Sequence, residues 1–212
     1  MKVLIVDDHP VVIQGCRRLL ENTQVRDIYA ASTLAEAFRL YRQKQPDVVV
    51  LDLSLRPETL GGLSFIRRMR LHDRHIRIIV LSMHTDPGIA RRAINLGANA
   101  YVSKDASPSE FVAAFEKVLH GHVYVSSDMA VDLAFEPKST GALQALSLRE
   151  LETLSLIAAG HPYASIAEEL HVSYKTVVNT VALLKQRFKV RTLPELTRIA
   201  VTALPLGRKA RR

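Results

Sequence analysis

The sequence predicts a doubly wound, five-stranded parallel α/β sheet followed by an all-α helix-turn-helix domain. Three observations support this fold class. The chain has 212 residues, which is long enough for two domains with separate cores. Residues 1–120 alternate short apolar runs with longer amphipathic segments. From Leu146 onward only helical periodicity remains.

Five β-rich apolar runs predict the strands of the first domain. They cover residues 3–6, 28–31, 48–51, 76–81 and 100–103. Because these runs are dominated by Val, Ile and Leu, we expect strands buried on both faces, as in a parallel sheet covered by helices. Helical spacing between the runs, for example at Leu34, Ala37 and Tyr41, predicts five covering helices.

The domain boundaries follow from changes in this pattern. We place the first domain at residues 1–122 and a linker at residues 123–144, where one short helix at 129–133 precedes closely spaced Pro137, Ser139 and Gly141. The second domain spans residues 145–205. Residues 206–212 form a basic tail that we expect to be frayed.

Capping residues mark the helices of the second domain. Ser147 and Glu150 form a capping box that opens the first helix, and Ser173 is placed to cap a third helix beginning at Tyr174. An apolar stripe on the third helix predicts its buried face, at Val177, Val181, Leu184 and Phe188. A fourth helix is predicted over residues 193–204.

The net charge of +8 is concentrated in the C-terminal third of the chain. Residues 1–136 contain 17 Lys and Arg against 16 Asp and Glu, whereas residues 137–212 contain 12 against 5. A basic domain joined to a nearly neutral one indicates a polyanionic partner, most often nucleic acid. The alternative is a basic surface that is only solvated.

The sequence argues against a membrane role and for a cytoplasmic protein. No apolar run approaches the roughly 20 residues of a membrane span. Acidic residues interrupt the first apolar stretch before it resembles a secretion signal. The single cysteine, Cys16, cannot form an internal disulfide and suits a reducing compartment.

Polar residues follow four of the predicted strands at the ends where ligands bind in parallel sheets. Asp7 and Asp8 follow the first strand, Asp52 the third, Ser82 ends the fourth, and Lys104 follows the fifth. Any one of them suits a turn or a helix cap, but together they indicate a site. Three converging carboxylates need a cation, and oxygen ligands of this kind favour Mg²⁺.

The third helix of the second domain carries the candidate DNA contacts. Lys175, Asn179, Ala182 and Gln186 lie opposite its apolar stripe. Asn and Gln can bond adenine and Ala can contact a thymine methyl, so this face suits a major-groove reader. A solvated helix face is the alternative.

These motifs resemble response regulators of the NarL/FixJ type. The receiver resemblance is carried by DDHPVV at 7–12, DLS at 52–54, LSMH at 81–84 and GANAYVSKDASPSEF at 97–111. The segments LSLRELETLSLIAAG, SIAEELHVS and TVVNTV resemble the LuxR-type four-helix DNA-binding domain. The resemblance implies a flavodoxin-like receiver with strand order 2-1-3-4-5.

The resemblance also implies roles for the residues of the acidic pocket. Asp52 is expected to accept a phosphoryl group from a sensor histidine kinase. Asp8, Asp52 and the Ser54 carbonyl are expected to bind Mg²⁺ directly, with Asp7 acting through water. On phosphorylation, Ser82 is expected to turn inward and Tyr101 to rotate into the vacated space, while Lys104 pairs with phosphoryl oxygens.

For the second domain the resemblance implies a homodimer on double-stranded DNA, with the fourth helix mediating dimerisation and RNA polymerase as a further partner. The expected DNA-contacting residues lie on or next to the third helix: Ser173, Lys175, Thr176, Val178, Asn179, Ala182, Lys185, Gln186 and Arg187. Together with Lys189 and Arg191, its basic residues are assigned to phosphates. Val178, Thr180 and Lys189 depart from residues common in the family, so base preference is not carried over.

The loop after Asp52 also departs from the family, because it reads DLSLRPETLGGL where a Met-Pro-Gly turn is usual. This difference leaves open how well a kinase fits and how long the phosphoryl group lasts. It also leaves open whether protein partners control the receiver without phosphorylation.

A haloacid-dehalogenase-type phosphatase also uses a strand-end aspartate as its nucleophile, but the Asp-x-Asp pattern of that family is missing from this sequence. No G-x-G-x-x-G motif supports dinucleotide binding. The sequence therefore predicts a regulator that is not an enzyme, although it takes part in its own phosphoryl transfer and dephosphorylation.

Overall fold

The computed structural model describes residues 1–21, 23–55, 60–127, 129–130, 143 and 145–204. Within them, a parallel sheet is followed by a group of helices, as the sequence predicts. The strands are β1 (Lys2–Val6), β2 (Asp27–Ala31), β3 (Val48–Leu51), β4 (Arg77–Ser82), β5 (Ala100–Ser103) and β6 (Tyr124–Val125). Their order in the sheet is 2-1-3-4-5-6.

The expected strand order is confirmed, but the expected number of five strands is wrong. The short strand β6 pairs parallel to β5, with Tyr124 beside Ala100 and Val125 beside Tyr101. It falls in residues assigned to the linker and has only two residues, which is too short for a periodic pattern to predict it. Most of the short helix expected at 129–133 lies outside the described residues, as does the tail at 206–212.

Five helices cover the two faces of the sheet: α1 (Pro10–Leu20), α2 (Leu34–Lys44), α3 (Gly61–His72), α4 (Pro87–Asn95) and α5 (Pro108–Leu119). Four of them start where the sequence has a clear signal, whereas α3 follows Leu60, which has a left-handed backbone and no side-chain cap. Proline opens α1, α4 and α5, and the side chains of Thr33 and Asp86 cap α2 and α4. One core packs α1 and α5 against the sheet, and a second packs α2, α3 and α4 against its other face.

The second domain contains the helices α6 (Leu148–Ala158), α7 (Tyr163–Glu169), α8 (Tyr174–Arg187) and α9 (Leu193–Ala203). The predicted capping box of Ser147 and Glu150 is present, and Ser173 caps α8 through the backbone N–H of Thr176. Of the predicted apolar stripe, Val177, Val181 and Leu184 are buried and Phe188 is half-buried. None of the helices described in the structure is long and apolar enough to cross a membrane.

The two domains touch where α3 lies against α6. Glu152 of α6 accepts a short hydrogen bond from the Ser64 hydroxyl of α3 and is only 8% exposed. Arg92 of α4 donates to the backbone carbonyl of Leu143 at 3.5 Å. Burial lowers the pKa of Arg92, whereas Glu150 and Glu152 act in the opposite direction. The contact between the domains therefore includes polar and charged groups, and the buried apolar residues of the second domain belong to the same core cluster as those of α2, α3 and α4.

Candidate functional site

The sheet brings the predicted acidic residues together at the carboxyl ends of its central strands. Strand pairing sets Val6 beside Leu51, so the residues that follow them, Asp7 and Asp52, are neighbours. Asp7 is 2% exposed and Asp52 is 3% exposed. Lys104 reaches them from the end of β5, and its Nζ atom lies 2.7 Å from Oδ2 of each carboxylate. We call this group, together with Asp8, the acidic pocket.

The second oxygen of each buried carboxylate is held by backbone. The Ser54 N–H donates to Oδ1 of Asp52 at 3.1 Å, and the His9 N–H donates to Oδ1 of Asp7 at 2.8 Å. Both carboxylates therefore have fixed orientations before any ligand arrives. Fixed geometry of this kind keeps the reorganisation energy of a subsequent reaction small.

Burial and the lysine act in opposite directions on the charges of the acidic pocket. Burial raises the pKa of Asp52, while Lys104 and the Ser54 N–H lower it, and the pKa stays above its usual value. Burial lowers the pKa of Lys104, but the nearby Asp52 and Asp7 outweigh this effect and raise it. The lysine therefore remains an ammonium ion at neutral pH.

The acidic pocket has the ligand atoms of a metal site, and His9, which sequence reasoning missed, lies beside it. Side-chain ligand atoms of Asp7, Asp8, His9 and Asp52 lie within 4.8 Å of one another. Nδ1 of His9 is 3.1 Å from Oδ1 of Asp7 and 3.0 Å from Oδ1 of Asp8. The sequence signal that could have identified His9 is its position directly after Asp7 and Asp8. Three carboxylates and one ammonium leave an excess of negative charge, which a divalent cation can neutralise.

The two predicted switch residues lie next to the acidic pocket and are fully buried. Ser82 ends β4 and Tyr101 lies on β5, each with 0% exposure. The Tyr101 hydroxyl donates to the backbone carbonyl of His84 at 2.8 Å. Burial raises the pKa of Tyr101 above its ordinary value. Because the ring is already inside, its expected rotation on phosphorylation has no counterpart in this structure and stays a prediction.

A second residue that the sequence analysis left without a role, His84, lies between the pocket and the switch residues. Its side chain is 2% exposed, and its Nε2 atom is 2.6 Å from the Ser54 hydroxyl oxygen. Its backbone N–H donates to the Ser82 hydroxyl oxygen at 3.2 Å. Burial, with a smaller contribution from Lys104, lowers the pKa of His84 to about 4, so the ring is neutral at pH 7. The motif LSMH contained this residue, but nothing in the sequence indicated its contacts.

The unusual loop after Asp52 returns to the pocket at the start of α3. Leu55 and Leu60 on either side of it are buried, and residues 56–59 between them are outside the described part of the chain. The Gly62 N–H donates to the Leu53 carbonyl at 3.2 Å. A Cβ atom on Gly62 would lie 2.6 Å from Leu53 Cα and 2.9 Å from the Asp52 carbonyl oxygen. Glycine therefore allows α3 to approach the backbone of Asp52.

The expected DNA-contacting face of α8 is open to solvent. Most of the predicted residues are exposed: Ser173, Lys175, Thr176, Val178, Asn179, Ala182, Gln186 and Arg187. Lys185 is half-buried, and Lys189 and Arg191 are exposed just beyond the helix. Arg187 differs from the others because it already donates to the Ala145 carbonyl at 2.5 Å and lies 3.4 Å from Glu150.

Together, an acidic pocket at the strand ends of a parallel α/β domain and an attached four-helix domain define a receiver-type signalling protein with a helix-turn-helix. The response regulator receiver domain family matches residues 3–116, and the bacterial regulatory proteins of the luxR family match residues 144–200. The chain therefore belongs to the response regulators that join a receiver domain to a LuxR-type domain.

Known relatives match this chain over nearly its whole length. The methanol utilization control regulatory protein MoxX of Paracoccus denitrificans is 38% identical over 92% of this chain and 89% of its own length. The response regulator UvrY of Escherichia coli K12 is 33% identical over 95% of this chain and 94% of its own.

A solved structure shares the whole architecture. RcsB of Salmonella enterica serovar Typhimurium, bound to promoter rprA in the presence of the phosphomimetic BeF3⁻, has a TM-score of 0.76 and is 25% identical. The alignment covers 95% of this chain and 99% of that one. The two-domain arrangement therefore resembles that of RcsB.

Proposed function

We propose that this chain is a DNA-binding transcription regulator controlled by phosphorylation of Asp52. The observation that carries the proposal is the geometry of Asp52, a carboxylate only 3% exposed with Lys104 Nζ at 2.7 Å and the Ser54 N–H at 3.1 Å. An aspartate held in this way can act as a nucleophile toward phosphorus.

In the proposed reaction, a carboxylate oxygen of Asp52 forms a bond to phosphorus as the bond to the donor breaks. The donor is the phosphohistidine of a sensor histidine kinase, whose imidazole leaves, or a small acyl phosphate such as acetyl phosphate, whose carboxylate leaves. The Lys104 ammonium stabilises charge on the transferred oxygens. Hydrolysis of the aspartyl phosphate would return the chain to its starting state, so the protein takes part in its own dephosphorylation.

The residues of the acidic pocket fit Mg²⁺. Asp8, Asp52 and the Ser54 carbonyl would hold it directly and Asp7 would act through water, which matches the oxygen ligands that this ion prefers. When bound, the ion neutralises negative charge on the transferred group. The excess of carboxylates over ammonium groups supports this assignment. His9 lies at the rim of the same cluster.

The exposed face of α8 is proposed to read double-stranded DNA in the major groove. Asn179 and Gln186 suit base contacts, and Lys175 and Lys185 suit phosphates. The match to the luxR family and the RcsB structure bound to a promoter support this assignment. Arg187 would have to exchange its intramolecular contacts for a phosphate.

Dimerisation is assigned to α9. Leu193, Pro194, Thr197 and Val201 line a shallow surface depression there, and Val201 is 49% exposed. We propose that this face forms a homodimer on DNA and that the chain acts in the cytoplasm, with RNA polymerase as a further partner. Residues 1–122 and 145–205 are the proposed functional domains, joined by residues 123–144.

Labelling with radioactive acetyl phosphate and Mg²⁺ tests the phosphorylation site. Asp52→Asn removes the nucleophile, so we expect no label. Asp105→Asn is the matched control, because Asp105 is an exposed aspartate in the loop beside Lys104, and it should keep the label of the wild-type chain. Persistent labelling of Asp52→Asn would exclude the assignment.

Binding to a DNA fragment selected from a genomic library by the wild-type chain tests the second domain. Asn179→Ala should weaken binding about 5- to 150-fold if it contacts a base. Lys185→Ala should instead reduce the salt dependence by about one unit of slope. Lys117→Ala, an exposed lysine on α5, should change neither. Binding that does not respond to ionic strength contradicts the proposed phosphate contacts.

A further inference from the structure

The exposed side of α8 carries a row of apolar side chains beside its polar ones. Tyr174 is 57% exposed, Val178 is 39% exposed, and Ala182 is exposed as well. These three residues are spaced four apart, so their side chains follow one another along one side of the helix. We call them the apolar ridge. Single exposed apolar residues are ordinary, but neighbouring ones that form a continuous surface indicate a binding site.

The Tyr174 ring, at one end of the apolar ridge, is supported by a second aromatic side chain. Its centre lies 6.2 Å from the centre of the Tyr163 ring at the start of α7, and the ring planes are inclined by 52°. Tyr163 is half-buried and packs against the core. A side chain that is supported before binding loses less conformational entropy when it is covered, which favours its use in a contact.

The charges around the apolar ridge favour DNA as its occupant. Residues 173–191 contain five Lys and Arg residues and no Asp or Glu. A second copy of α8 placed on the ridge would bring like charges together, which is unfavourable. The phosphates on both sides of the major groove would instead neutralise them. The ridge therefore suits the floor of the major groove, with the basic residues directed to its walls.

Thymine offers an apolar group in the major groove, its 5-methyl group. From Tyr174 to Ala182 the helix rises by about 12 Å, which corresponds to roughly three or four base steps. Asn179 follows Val178 directly and has the amide that suits adenine. An A·T pair would therefore present its adenine to the amide and its thymine methyl to the neighbouring ridge.

We propose that the apolar ridge packs against thymine 5-methyl groups, with Val178 at the centre of the contact, so that the chain selects operators by these methyl groups. The proposal rests on the proposed DNA binding by α8 and names the base that it prefers. Removing one methyl group from water favours binding by a factor of about 4. Because Val178 departs from the residue common in the family, the preference belongs to this chain.

The test compares two versions of one DNA fragment that the full wild-type chain selects from a genomic library. One version contains thymine and the other contains uracil, which lacks only the 5-methyl group. Fluorescence anisotropy gives both dissociation constants, and we call the value for uracil divided by the value for thymine the uracil ratio. If each copy of a dimer loses one methyl contact, the wild-type ratio is at least about 15. Val178→Ala should bind the thymine fragment more weakly and lower the ratio below about 4.

Three further variants separate the methyl contact from other effects. Val178→Ile keeps an apolar side chain and should keep the wild-type uracil ratio. Lys175→Ala should weaken binding to both fragments equally, because a phosphate contact does not depend on the methyl group. Val123→Ala, at a valine 61% exposed before β6, should change neither constant. Thermal unfolding followed by circular dichroism establishes that each variant folds, and Tyr174→Ala, which should also lower the ratio, repeats the test at a second position.

Equal affinity of the wild-type chain for the two fragments would overturn the proposal. An unchanged uracil ratio in Val178→Ala and Tyr174→Ala would do the same, because uracil would then act through the shape of the DNA. If a second copy covers the ridge instead, Val178→Ala changes the sedimentation coefficient without DNA and leaves the ratio as it is. Failure of the underlying function looks different, because the wild-type chain would then select no fragment from the library.

Discussion

Replacing His84 with glutamine should remove a pH-dependent part of the stability of the protein. Burial lowers the pKa of this histidine from 6.5 to about 4. The unfolded chain therefore binds a proton between these pH values that the folded chain does not bind. Since stability falls with decreasing pH where the unfolded state binds more protons, the His84 contribution is present above pH 6.5 and is lost as the pH falls toward 4.

The size of the effect follows from the two pKa values. The full difference corresponds to about 3 kcal/mol, and the part lost between pH 7 and pH 5 is about 2 kcal/mol. Glutamine does not titrate, so the free energy of unfolding of His84→Gln should fall by about 2 kcal/mol less than that of the wild-type chain over this interval. All other groups are the same in both proteins, so their contributions cancel in this comparison.

Urea unfolding at pH 7 and pH 5 without Mg²⁺, followed by far-UV circular dichroism, measures this difference. His75→Gln, at an exposed position, is the matched control for loss of a histidine. If the wild-type chain and His84→Gln lose equal stability between the two pH values, His84 is not held neutral by burial and the reasoning is refuted.

Two further predictions concern the packing that supports the pocket. Gly62→Ala forces a Cβ atom to within 2.6 Å of Leu53 Cα. It should cost about 1–3 kcal/mol and slow labelling by acetyl phosphate, whereas Gly15→Ala, where no atom lies within 4 Å, should be neutral or stabilising in the same urea and labelling assays. Arg70→Lys should lose roughly 2–4 kcal/mol in urea unfolding, because a lysine cannot replace a guanidinium that donates to three backbone carbonyls and to Asn99. Arg74→Lys at an exposed site is its control, and equal unfolding midpoints for the two would contradict this account.

The order of elements and the acidic pocket could be predicted because both depend on local patterns. Apolar runs identify buried parallel strands, and the ends of such strands meet at one edge whatever the details of packing. Asp7, Asp52 and Lys104 therefore come together as expected. The capping residues Ser147 and Ser173 were equally predictable, because a cap needs only its own helix.

The features that could not be predicted depend on contacts between distant residues. The two-residue strand β6 exists because β5 offers an unpaired edge, and two residues carry no periodicity. His84 bonds Ser54 across 30 residues, and a buried histidine looks the same in the sequence as an exposed one. Glu152 and Ser155 are buried on α6, although polar residues at these positions indicate a solvated face. Glu152 is covered where α3 of the other domain packs against α6 and Ser64 donates to it.

This contact between the domains restricts how phosphorylation can control the second domain. The face of α8 that is expected to contact DNA is exposed, whereas α6 is covered by the first domain. DNA binding by α8 therefore does not require the first domain to move away from it. Arg92 lies on α4, the helix that follows β4 and the proposed switch residue Ser82. It donates to the Leu143 carbonyl at 3.5 Å, and Glu150 and Glu152 of α6 raise its pKa against the effect of burial. A shift of α4 would therefore change the position of the second domain rather than the accessibility of α8. In the proposed homodimer, two copies would have to place their α8 helices one DNA turn apart, and control of this kind would act on the geometry of that dimer.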